Sequence, residues 1–229
     1  MIRAIAFDLD DTLLATSETI TASAYDAATK VLLEGGVRSE DLKKLDLVYN
    51  TPTGFSNAVR TLDGKVDSDL LKKALNTYYV NADLSVLKLA PHAHYVLQYL
   101  RANGRKVGVE RTAIVTAGER GQQEQKIRMF NLAELVNDVY MIPSADYRLK
   151  IDCFRNFCSK YNLTPHEIAA VGDKIDNEIR AGNELGMVTV RILQGRHSRA
   201  QPKDKEETPT YTVKNLTELL EGLNSKEIT

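Results

Sequence analysis

The chain has 229 residues, with 30 Lys and Arg against 31 Asp and Glu, and a formal net charge of −1. The two signs are mixed along its length, which excludes a basic face for nucleic acid or an anionic membrane surface, and no apolar run approaches the roughly 20 residues that span a bilayer. That length suits a large domain or a core carrying an inserted module, and the expected partner is a small molecule.

Residues 2–7, IRAIAF, form an apolar run of strand length that ends directly against Asp8, Asp10 and Asp11. One basic residue followed so soon by Asp8 does not read as a secretory leader. From about residue 16 to 85 the pattern is helical throughout. Ile20, Ala24, Ala27, Val31 and Leu32 share one face, and EDLKKLDLVYN, GFSNAVRTL and DSDLLKKALNTYYV predict three further helices. Pro91 opens a helix over PHAHYVLQYLRANG.

Beyond it, strands at 112–116, 136–142, 168–171 and 187–192 alternate with helices at 119–130, 152–161 and 177–186, the last closed by Gly186. GRKVGVERTAIVT puts Glu110 and Arg111 inside what should be one apolar strand, so the strand begins at Thr112 or a short turn precedes it. Cys153 and Cys158 lie on one helical pattern at a spacing that turns them to different faces, and free thiols in a reducing cytoplasm are expected. The stretch QGRHSRAQPKDKEETPT reads as an exposed, solvated loop, followed by a short strand, YTV, and a closing helix near LTELLEGL. Strands alternating with helices imply an α/β fold with a parallel sheet covered on both faces, interrupted after its first strand by an all-α module.

Ligands of open parallel sheets gather beyond the carboxyl ends of the strands, which is where the aspartates stand. Side-chain alternation puts Asp8 and Asp10 on one face, while Asp11 points elsewhere and reads as a turn former with Thr12. Two such carboxylates share a site comfortably only around a cation, and Mg²⁺, with its oxygen ligands and affinity for phosphate substrates, fits them. Asp173 in AAVGDKIDNE supplies a further acid at a second strand end. At a third, Thr116 and the backbone N–H groups after it, from Ala117 on, stand near a helix start that favours anions. Lys150, just before a predicted helix, is the candidate for the cation that holds the nucleophile and the transferring oxygens. His92 and His94 open a helix without facing each other and read as surface residues. Tyr78 and Tyr79 line a substrate entrance or pack the helical module.

In order and spacing these segments resemble the haloacid dehalogenase-like hydrolases, in the branch with a helical cap: DLDDT resembles the first motif, Thr116 the second, Lys150 the third and GDKIDNE the fourth. The resemblance implies a Rossmann-like core of residues 1–15 and 86–229 and a cap of residues 16–85. It implies Asp8 as nucleophile, Asp10 as general acid and base, and Thr116, Ala117 and Lys150 as phosphate ligands. Mg²⁺ would be held by the Asp8 carboxylate, the Asp10 main-chain carbonyl and Asp173. Glu178 stands where related phosphatases carry a second Asp, and would hold a metal-bound water. Counting back from GD places the usual lysine nearer Arg148, but the compact ammonium of Lys150 suits a point contact better. An Asp two residues after the nucleophile suits phosphatases and phosphomutases. The expected activity is hydrolysis of small phosphorylated metabolites of the triose phosphate, phosphoglycolate or sugar phosphate type, by a cytoplasmic monomer or homodimer. A phosphomutase, or a silent phosphate-binding protein, is the alternative.

Overall fold

Short runs rich in Ala, Ile, Val and Thr build the sheet: β1 (Ala4–Phe7), β2 (Arg111–Ala117), β3 (Asp138–Ile142), β4 (Ile168–Gly172), β5 (Val188–Ile192) and β6 (Tyr211–Val213). The computed structural model describes residues 1–49, 55–80 and 83–229. Every strand pairs in parallel, in the order β3–β2–β1–β4–β5–β6. β1 and β4 are buried along their whole length, as strands covered on both faces must be. The order reverses beside β1, whose neighbours are β2 on one side and β4 on the other.

The helices are α1 (Ala22–Glu34), α2 (Ser39–Tyr49), α3 (Phe55–Val59), α4 (Ser68–Val80), α5 (Ala93–Asn103), α6 (Arg120–Met129), α7 (Tyr147–Tyr161), α8 (Arg180–Leu185) and α9 (Leu216–Ser225). The chain divides into two compact units, residues 1–15 with 89–229, and residues 16–88. Among the described residues the first unit holds the sheet with α5–α9 and the second is wholly helical. No helix of the described residues is long and apolar enough to cross a membrane.

In the helical unit the buried stripe of α1 and the wide turn before it is Ile20, Ala24, Ala28 and Leu32. Ala27 and Val31, expected on it, are only half-buried, because burial follows a strict four-residue spacing that winds around the helix. Phe55 sits at the centre of that unit's core, edge-on to Tyr25 at 5.8 Å and stacked on Tyr78 at 4.4 Å. Tyr78 is therefore a packing residue; the side chain of Tyr79, and Asn50 and Gly54 of the predicted helices, lie outside the described residues.

In the sheet unit, α7 starts at Tyr147 rather than 152, because the Asp146 carboxylate accepts the Arg148 N–H at 3.0 Å and caps the helix there. One consequence is that Lys150 lies inside the helix. α7 also presents a broad apolar face: Cys153, Phe154, Phe157 and Cys158 all enter one core with Ala4, Ala6, Ala113, Val115 and Ala170. The two cysteines are free and buried in that same core, not on different faces as their spacing implies. A single tight turn at Gly104–Val107 precedes β2, as one of the two expectations has it, but the strand begins at Arg111 rather than at Thr112.

Phe157 is fully buried between the rings of Tyr140, at 6.2 Å, and Tyr161, at 5.4 Å. Phe157→Ala should lower the free energy of unfolding by about 3–5 kcal/mol, read from urea melts of the two proteins.

Candidate active site

The ladder between β1 and β4 does not stop at Phe7. The Asp8 N–H donates to the Val171 carbonyl at 2.8 Å, which fixes Asp8 at the carboxyl end of the sheet where the strand order reverses. Asp173 follows β4 directly, and a single wide turn at Ile175–Ile179 brings Glu178 back over the same strand end. Gly172 makes that return possible: a Cβ there would lie 2.6 Å from Glu178 Cγ. Asp8, Asp173 and Glu178 thus each offer one carboxylate oxygen to a cluster whose atoms lie within 4.8 Å of one another, all three side chains being buried. Lys150 enters it from α7, donating to Asp8 Oδ1 at 2.6 Å and to Glu178 Oε1. Only 1 % of its side chain is exposed, against 74 % for Arg148, which turns outward to Asp146 and over the Tyr147 ring. On an α-helix positions 148 and 150 point nearly opposite ways, so Lys150 reaches the cluster and Arg148 faces away from it.

The charges do not balance within this set. Burial, and then Glu178, push the Asp8 carboxyl up to about 7, with Lys150 opposing them. Burial likewise holds the Asp173 carboxyl well above the ordinary range. Burial would also raise Glu178, but Lys150 and Lys174 outweigh it and hold Glu178 low. Lys150 and Lys174 are both raised in spite of burial, by Asp8 and Glu178 in the first case and chiefly by Asp173 in the second. Asp8 Oδ2 and both oxygens of Asp173 are buried with no hydrogen-bond partner. Buried acceptors in that state are costly, and an all-oxygen set of carboxylates is the donor chemistry of a hard divalent cation. The residues present fit such an ion.

Asp10 is held differently. β1 has ended by then, and the chain turns through Asp11, at φ 58°, so that the N–H groups of Leu13 and Leu14 both reach the Leu9 carbonyl. Strand alternation therefore does not set the direction of Asp10. Its carboxylate is engaged by α6 instead, by Lys126 Nζ at 2.8 and 3.0 Å and by Gln123 Nε2 at 2.9 Å. Gln123 Nε2 also reaches Thr116 Oγ1 and the Ala117 carbonyl, both at 2.8 Å. Of the N–H groups expected to favour an anion after Thr116, three are taken within the protein: the Glu119 side chain accepts from Gly121 and Gln122, and the Gly118 N–H donates to the Ile142 carbonyl. Thr116 keeps its place, buried at the end of β2.

A model of the haloacid dehalogenase-like hydrolase family matches residues 5–192. The chain belongs to the haloacid dehalogenase-like hydrolases. It is similar to a glyceraldehyde 3-phosphate phosphatase of Methanocaldococcus jannaschii, 29 % identical with 96 % of each chain covered. A protein of the same description from Methanopyrus kandleri is 26 % identical, over 96 % of this chain and 97 % of the other. In fold it is similar to a predicted phosphoglycolate phosphatase from Haemophilus somnus, with a TM-score of 0.68 at 21 % identity, covering 96 % of this chain and 97 % of that one.

For this hydrolase the sequence signals missed several residues near the strand ends. Gln123 and Lys126 belong to a helix whose inward positions are polar; QQEQKIRM, with Ile127 as its only buried apolar residue, carried that signal. Lys174, inside GDKIDNE, carries no signal of its own in the sequence. The stretch read as a solvated loop is partly buried: Gly195, at φ 60°, packs on Asp11, where a Cβ would lie 2.4 Å from Asp11 Cγ. Buried Arg191 of β5 donates to the His197 and Ser198 carbonyls at 2.8 and 3.3 Å and holds that loop down. Burial, then the cations Lys174 and Arg196, depress the His197 imidazole to about 4, so it is neutral at physiological pH. His92 and His94 join no such cluster among the described residues.

A carboxyl raised on folding is a liability that grows as pH rises from the ordinary carboxylate range through about 7, because the folded site disfavours the ionised form. A divalent cation removes that liability but must displace the proton below it. The rise in melting temperature on adding Mg²⁺ should therefore be larger at about pH 8 than at about pH 5.5, read as paired thermal melts with Mg²⁺ and with chelator.

Proposed function

We propose that this hydrolase removes phosphate from small phosphorylated metabolites, triose phosphates such as glyceraldehyde 3-phosphate foremost, by way of an aspartyl-phosphate on Asp8. The observation that carries the reading is the buried cluster of Asp8, Asp173 and Glu178, with Lys150 on one oxygen of Asp8 and the other oxygen unpartnered. The glyceraldehyde 3-phosphate phosphatases to which the chain is similar over nearly its whole length support the substrate class.

Asp8 would attack phosphorus, forming a bond between its carboxylate oxygen and phosphorus as the bond to the ester oxygen breaks. Asp10, protonated for this step, gives its proton to the departing alkoxide. In the second half water attacks phosphorus, Asp10 takes the proton from it, and Asp8 is released as carboxylate with inorganic phosphate. The Lys150 ammonium orients the Asp8 carboxylate and sets positive charge beside the transferring oxygens, and the Thr116 hydroxyl and Ala117 N–H would bind one of them. Mg²⁺ would be held by the Asp8 and Asp173 carboxylates and the Asp10 main-chain carbonyl, with Glu178 beside it. When bound it supplies positive charge against the phosphoryl oxygens. Residues 16–88 would serve as the cap that closes over the substrate and excludes water. Free, buried Cys153 and Cys158 agree with work in the cytoplasm.

The test is phosphate release across a panel of phosphorylated metabolites, with Mg²⁺, with chelator, and with the Asp8→Asn protein. Chelation should abolish release, and Asp8→Asn should lower it by about a thousandfold or more, as loss of an essential nucleophile does. Release that survives in Asp8→Asn would remove Asp8 from its role.

A further inference from the structure

A helix that covers a sheet normally turns apolar residues inward, yet α6 buries Gln123 and Lys126 one turn apart. Burying a lysine is costly, and apolar residues of similar volume would serve stability as well or better. What the two residues do is local. Lys126 donates to both oxygens of Asp10, and the single amide nitrogen of Gln123 is shared between Asp10, the Thr116 hydroxyl and the Ala117 carbonyl.

We propose that Lys126 and Gln123 are positioning residues, which fix the Asp10 carboxylate in register with Thr116 so that the proton donor and the phosphate ligand are held as one unit. The inference rests on the roles proposed above for Asp10 and Thr116. The alternation of β1 has ended before Asp10, so the backbone alone does not aim that side chain. The aim comes from α6, through a doubly bonded ammonium and an amide tied to the end of β2. Neither residue is asked to touch substrate.

Such a role affects one step more than others. An alkyl phosphate leaves as an alkoxide and needs a proton from Asp10, whereas 4-nitrophenyl phosphate leaves as a stabilised phenolate that needs none. The value of kcat/KM covers the chemistry through departure of that group, so its ratio between glyceraldehyde 3-phosphate and 4-nitrophenyl phosphate reports the aim of Asp10. An unfolded fraction lowers both rates alike and cancels in the ratio. Lys126→Met should lower the ratio by about tenfold or more, within the range of general acid catalysis, and Lys126→Arg, which keeps the charge, should restore most of it. Gln123→Met, reaching the same carboxylate from the other partner, should shift the ratio in the same direction.

An unchanged ratio in both Met variants, or a Lys126→Arg protein as impaired as Lys126→Met, would overturn the inference while leaving the phosphatase intact. Wild-type protein that releases phosphate from neither ester would instead overturn the phosphatase reading, and this inference with it.

Discussion

Three carboxylates share the tip of two neighbouring strands, and a single buried lysine bonds two of them. Their mutual repulsion, undiluted by water, is the constraint around which the sheet unit is arranged. Lys150 neutralises part of it from α7, Lys174 adds charge from the turn after β4, and three carboxylate oxygens are still left without a hydrogen-bond donor. A fold selected for stability alone would place an apolar side chain at one of these positions. The imbalance has a use only if a cation and a phosphoryl group complete it.

The backbone makes this crowding possible at two glycines. Gly172 leaves room for Glu178 to fold down over the end of β4, and Gly195 lets a loop pass directly against Asp11. Neither position tolerates a Cβ without moving a carboxylate. Arg191 secures the second approach by bonding the loop's carbonyls from inside β5. The site is thus braced by groups that would never meet the substrate.

Much of the site was readable because its residues stand at the ends of apolar strands. Asp8, Thr116 and Asp173 follow β1, close β2 and follow β4, and the parallel order of those strands brings their ends together. The chemistry of a compact ammonium favours Lys150 over Arg148, and α7, capped at Asp146, turns Lys150 inward. What escaped were polar residues on a helix or in a loop that no strand end or acidic run points to. Gln123, Lys126 and His197 have the composition of solvated surface, and burial by tertiary contact leaves no periodic mark in so short a stretch. The offset of the α1 stripe and the shared core of Cys153 and Cys158 have a similar origin, since both depend on how wide a face the neighbouring elements cover.

The placement of β1 also bears on how the chain is made. Ala4 pairs with Arg111 on one side and Ile168 on the other, so the strand that ends in Asp8 emerges from the ribosome long before either neighbour exists. Residues 16–88, which carry a separate apolar core, are synthesised in the interval and have their own contacts to form. Non-local pairing of this kind slows folding and leaves a hydrophobic segment uncovered meanwhile. The first strand therefore waits uncovered while residues 16–88 are made, and its pairing is complete only once β4 has been synthesised.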